Sequence, residues 1–95
     1  MPLFVLSCID KPNSLALRMA TREAHLAYAR ERLSDIKLGG PYLSPAGEMA
    51  GSLIILDVAD QATAEAWSAN DPYRKAGLFE RVDIKPFRAT LGSVG

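Results

Sequence analysis

The stretch Ala50-Gly51-Ser52-Leu53-Ile54-Ile55-Leu56-Asp57-Val58 decides the fold of this chain. Leu53 to Leu56 are four large apolar residues in a row. Neighbours along a strand point to opposite faces, so this segment is apolar on both. The run Leu3-Phe4-Val5-Leu6-Ser7-Cys8-Ile9 has the same character. Such strands belong in a sheet with something packed against each side.

Outward from these two strands, the rest of the chain falls into place. Asp10-Lys11-Pro12-Asn13 ends the first strand with turn chemistry. Asn13 or Ser14 offers an N-cap for a helix lying within residues 14–34, rich in Ala, Leu, Arg and Glu. Leu15, Met19, Leu26 and Leu33 recur at helical spacing and are expected to form its core stripe. Ile36 to Leu43, with Gly39-Gly40-Pro41 inside, reads as a short, irregular strand, and Ser44 to Glu48 as a turn. Asp60 is placed to cap a second helix over 61–69, with Ala62, Ala66 and Trp67 available for packing. Asn70-Asp71-Pro72-Tyr73 breaks that helix and opens a short turn closed by Gly77. Leu78 to Leu91 is expected as a last strand, with Val82, Ile84 and Phe87 inward. Pro86 marks an edge, bend or bulge in it.

The order β-α-β-β-α-β predicts an α+β, ferredoxin-like domain over 1–95: one four-stranded antiparallel sheet with two helices on one face. Two helices cover only one face of a sheet whose best strands are apolar on both. A second copy is the simplest cover for the other face, so a homodimer formed through the sheet is expected.

Composition narrows the function. The 95 residues are 48% hydrophobic and 23% charged, an ordinary globular balance. Eleven basic and eleven acidic residues cancel, which leaves no excess charge for a phosphate backbone and argues against nucleic acid as a partner. One cysteine and one histidine exclude a disulfide and argue against a zinc site. A lone thiol, with neither a signal peptide nor an apolar run long enough to span a bilayer, points to the cytoplasm and away from membranes. No organic cofactor or metal is called for.

His25 is the only side chain that titrates near neutrality unaided. On a helical wheel it falls with Arg18 and Arg22 on one flank of the apolar stripe, and Arg22 lies almost within the stripe. A guanidinium turned coreward requires an acidic partner or an anionic ligand. Two readings stand at this point. In one, the three residues line a polar pocket at the helix–sheet boundary. In the other, the arginines pair with Asp10, Asp71 or Glu23 and the histidine lies on the surface. Asp71, followed by Pro72, is either an ordinary helix cap or the carboxylate that orients His25. Asp10 is a turn residue or a second carboxylate of the site. Tyr42, Tyr73 and Trp67 are pocket walls or simply core and interface residues. Ser7, Ser44 and Ser52 lack a nucleophile-elbow context, and Cys8 reads as a buried, inert thiol.

Taken together, Asp10, the run Arg18-Met19-Ala20-Thr21-Arg22-Glu23-Ala24-His25-Leu26, Gly40-Pro41, Gly51-Ser52, Ala66-Trp67, Asn70-Asp71-Pro72-Tyr73, Ala76-Gly77-Leu78-Phe79 and Ile84-Lys85-Pro86-Phe87 resemble the YciI-like family along nearly the whole chain. The resemblance implies a domain that dimerises through its sheets, as in the dimeric α/β-barrel group. It also implies a site built on a histidine and an aspartate, here His25 and Asp71. Arg18, Arg22, Asp10 and Tyr73 follow as binding or supporting residues. Related proteins include a dehydrochlorinase and lactone isomerases acting on breakdown products of aromatic compounds. The expectation is a cofactor-independent isomerase or lyase that moves protons on a small metabolite. The alternative is a non-catalytic dimeric module that binds a small anion. A third, structural reading is an assembly partner for other proteins.

Overall fold

The computed structural model describes residues 2–93, and its framework follows the order read from the sequence. The elements are β1 (Leu3–Asp10), α1 (Leu15–Glu31), a 3-10 turn (Leu33–Asp35), β2 (Ile36–Leu43), β3 (Met49–Asp57), α2 (Gln61–Ala69), the one-turn helix α3 (Pro72–Lys75) and β4 (Phe79–Phe87). The strands form one sheet in the order β2-β3-β1-β4, antiparallel throughout. The two doubly apolar strands, β1 and β3, take its centre. Pro86 sits on β4, an edge strand, where its missing N–H costs no ladder hydrogen bond.

The helices lie against the face that carries Phe4, Leu6, Cys8, Ser52, Ile54 and Leu56, all buried. Alternation fixes this: directly paired residues such as Leu6 and Ile54 share a face. Leu6 and Leu56 are almost fully enclosed, and truncating either to alanine would cost roughly 2–5 kcal/mol. The opposite face carries Val5, Ile9, Leu38, Leu53, Ile55 and Phe87, and no element among the described residues lies over it. Ser7 Oγ and Tyr42 Oη share a hydrogen bond of 2.9 Å on that face.

Several local expectations need correction. The core stripe of α1 is not Leu15, Met19, Leu26 and Leu33: Met19 is 52% and Leu33 63% exposed, while Arg18 is the buried residue of the helix at 2%. The inward face runs through Arg18, His25 and Tyr28, so the long helix lays polar groups and aromatic rings on the sheet. Tyr28 meets Trp67 edge-on and donates its hydroxyl to the Trp67 carbonyl at 2.7 Å. Position Ser14 does precede α1, but its hydroxyl reaches back to the Pro12 carbonyl and leaves the helix uncapped by a side chain. In α2, Trp67 packs as expected, with Ala64 and Ser68 buried beside it rather than Ala62 and Ala66. The residue three before Trp67 shares its face of a helix; those one and five before do not.

The last strand ends at Phe87, earlier than read, and Phe87 is 45% exposed on the open face. Gly51 is a true glycine position. A Cβ there would run into the Cys8 carbonyl and lie 3.0 Å from the Tyr42 ring. The close approach of β1 and β3 thus depends on a bare backbone next to Ser52.

Candidate active site

Between α1 and the β2–β3 half of the sheet lies a cavity of about 390 Å³. Arg18, Arg22 and His25 line it from the helix, Ser52 and Ile54 from β3, Pro41 and the two neighbouring glycines from β2, and Tyr73 from α3.

Arg18 is held from behind. Its Nε donates to Asp10 Oδ2 at 2.7 Å and its Nη2 to Asp10 Oδ1 at 3.2 Å, a two-pronged pair with both side chains nearly enclosed. Nη2 also donates to Ser52 Oγ at 2.7 Å. A buried guanidinium is tolerated because its charge and donors are met in this way. Asp10 does not line the cavity; it anchors the arginine that does. Ser52, whose apolar-strand setting was read only as lacking a hydrolase context, is the second anchor. A hydroxyl on the helix-facing side of an otherwise apolar strand was the available signal.

His25 is held from the side. Its Nδ1 lies 2.8 Å from Asp71 Oδ1. An ionised carboxylate only accepts, so Nδ1 is the donor, and in the neutral ring that arrangement leaves the lone pair on Nε2. Nε2 makes no hydrogen bond among the described residues. The His25 side chain is 13% exposed. The imidazole stacks on Tyr73, centroids 4.1 Å apart and planes 19° from parallel, and the Arg18 guanidinium lies over the same ring at 4.4 Å. Burial pushes the Tyr73 phenol above its ordinary value, outweighing the pull of the Arg18 and Arg22 charges. Tyr73 therefore stays protonated at neutral pH and remains a donor.

Asp71 makes two contacts through one oxygen. It is the N-cap of α3, with Pro72 following, and its Oδ1 accepts from Tyr73 N at 3.0 Å. The same oxygen accepts from His25, across 46 residues of sequence. Arg22 stands at the cavity wall, exposed and without an ion pair among the described residues. It was thus Arg18, not Arg22, that turned coreward. Tyr42 belongs to the open sheet face and Trp67 to the core. Cys8 is enclosed, and burial pushes its thiol up to about 12, so it is no nucleophile at neutral pH.

A ferredoxin-like α+β sheet with a histidine and an aspartate paired at the wall of a cationic cavity defines the class. The chain belongs to the YCII-related domain family, whose model matches residues 2–88. It is 34% identical to Protein YciI of Escherichia coli O6:H1 over 90% of this chain and 96% of that protein. It is 35% identical to a Haemophilus influenzae protein over 90% and 95% of the two chains. Among solved structures it resembles the 5-chloro-2-hydroxyhydroquinone dehydrochlorinase of Burkholderia phenoliruptrix AC1100, in complex with 2,5-dihydroxybenzoquinone. That match has a TM-score of 0.89 and 31% identity, covering 93% of this chain and 95% of the other. An antibiotic biosynthesis monooxygenase, at TM-score 0.59 and 9% identity, shares the fold alone.

Proposed function

We propose that this protein is a small-molecule enzyme that uses His25 and Asp71 to move a proton in an elimination or isomerisation. The observation that carries the reading is the 2.8 Å contact from His25 Nδ1 to Asp71 in a residue that lines the cavity. Nε2 takes a proton from a ring hydroxyl or an acidic C–H, and Asp71 stabilises the imidazolium that forms. Arg18 and Arg22 hold the oxygen on which negative charge grows, and Tyr73 offers a hydrogen bond from its phenol. The related structure is a 5-chloro-2-hydroxyhydroquinone dehydrochlorinase, and loss of HCl from such a ring is an elimination of the kind proposed here. Its substrate class, a small and readily ionised hydroxylated ring, suits a cationic cavity of this size. No metal or organic cofactor enters the mechanism. A second copy packs on the open sheet face and covers Val5, Leu53 and Ile55.

The test is chloride release from 5-chloro-2-hydroxyhydroquinone by the native protein and by His25→Gln. The expected result is turnover by the native protein and a loss of about 10²–10⁴-fold in the variant. Equal turnover in both would remove His25 from the chemistry. Tight binding of 2,5-dihydroxybenzoquinone by both forms, with turnover by neither on this substrate or a lactone, would favour the anion-binding module instead.

A further inference from the structure

The chain as a whole is neutral, yet the lining of the cavity beside His25 is not. Arg18, Arg22, Arg30 and Lys37 all line it, and among the described residues no carboxylate does. Arg18 is neutralised by Asp10, and Arg22 belongs to the end near His25. Arg30 and Lys37 lie at the other end, where α1 runs out and β2 begins. Arg22 and Arg30 are eight residues apart on one helix, about 12 Å along its axis at 1.5 Å per residue. Between the two cationic ends the walls are apolar: Leu26, Ala29, Ile36, Pro41 and Ile54.

Neither distal cation is fully accounted for by local structure. Arg30 stands in the last turn of α1, where a positive charge suits the helix dipole. That effect needs no particular direction for the side chain, and Arg30 makes no ion pair among the described residues. Lys37 is 3.8 Å from Asp57, a long contact in which the lysine is 57% exposed and the carboxylate only 7%, so the ammonium keeps an open side beyond the one it turns to Asp57. Both remain available to an anion entering the cavity.

We infer that Arg30 and Lys37 form a second anion subsite, and that the natural ligand is two-ended. One end is the reacting ring or carbonyl near His25. The other is an acidic group, a carboxylate or its equivalent, separated from it by an apolar span. The inference rests on the cavity being the ligand site, as proposed above, but not on His25 being a catalyst.

The test uses two rigid probes, biphenyl-4-carboxylate and biphenyl-4,4′-dicarboxylate. Their affinities are measured by calorimetry while the His25 imidazole signals are followed by NMR. The expected result is that the diacid binds the native protein about fivefold more tightly than the monoacid, as two partly exposed ion pairs allow. The Arg30→Gln, Lys37→Gln double variant is expected to erase that preference and leave monoacid affinity unchanged. Equal affinities in the native protein, or a preference that survives in the double variant, would overturn the subsite. If both acids fail to bind while 2,5-dihydroxybenzoquinone shifts the His25 signals, the subsite falls and the cavity reading stands. If no probe shifts them, both fall.

Discussion

Asp60 and Asp71 begin as the same residue doing the same job. Each precedes a helix, each has extended backbone, and each accepts a hydrogen bond from an N–H of the first turn. There the likeness ends. Asp60 caps a nine-residue helix from the solvent, taking both the N–H and the hydroxyl of Thr63. Asp71 caps a helix of four residues from inside the protein, at 3% exposure. Burying a carboxylate is costly, and one turn of helix is small return for it. What offsets the cost is His25, which donates to the same oxygen. Local chemistry selects an aspartate at both places, and only the long-range partner turns one of them into part of a site.

Exchanging each carboxylate for an amide breaks the comparison most sharply. Asp71→Asn keeps the shape but offers His25 a neutral partner, and turnover is expected to fall by about 10²-fold or more. Asp60→Asn is expected to leave turnover unchanged, so an equal loss in both would mean that the assay reads stability and not chemistry. A smaller contrast lies in stability itself, followed by denaturant unfolding. Asp71→Ala strips the acceptor from Tyr73 N–H and His25 Nδ1–H and is expected to cost about 2 kcal/mol or more. Asp60→Ala loses only an exposed cap and should cost less. The Asp60 effect also has a pH signature. Hydrogen bonds from the Thr63 side chain and backbone hold this carboxyl below its ordinary 3.8. Its stabilisation is therefore present above that value and lost as pH falls through the lower folded value. The native and Asp60→Ala curves should converge in acid.

Much of this was legible from residue order. Apolar runs gave the two central strands, and Asp60 with the pattern after it gave α2 to the residue. Asp71-Pro72 gave the third helix start. The inward face of α1 was not legible, because a periodicity count assigns arginine to solvent. Arg18 turns inward only because Asp10, eight residues back, and Ser52, 34 residues on, await it. The same holds for the site. His25 could be singled out as the lone histidine and Asp71 as a cap, and resemblance paired them. Spacing could not, since the link spans 46 residues and exists only once the sheet has formed. Arg30 and Lys37 carried no local signal at all: each is an ordinary surface cation until the cavity wall is drawn.

The central claim is that Asp71 fixes the tautomer of His25. With one histidine in the chain, two-bond nitrogen–proton NMR of the imidazole in ¹⁵N-labelled protein reads it without ambiguity. At a pH where the ring is neutral, the proton is expected on Nδ1, with a bare Nε2, in the native protein. A neutral ring with its proton on Nε2, the form that free imidazole side chains ordinarily favour, would contradict it and return Asp71 to the rank of a helix cap.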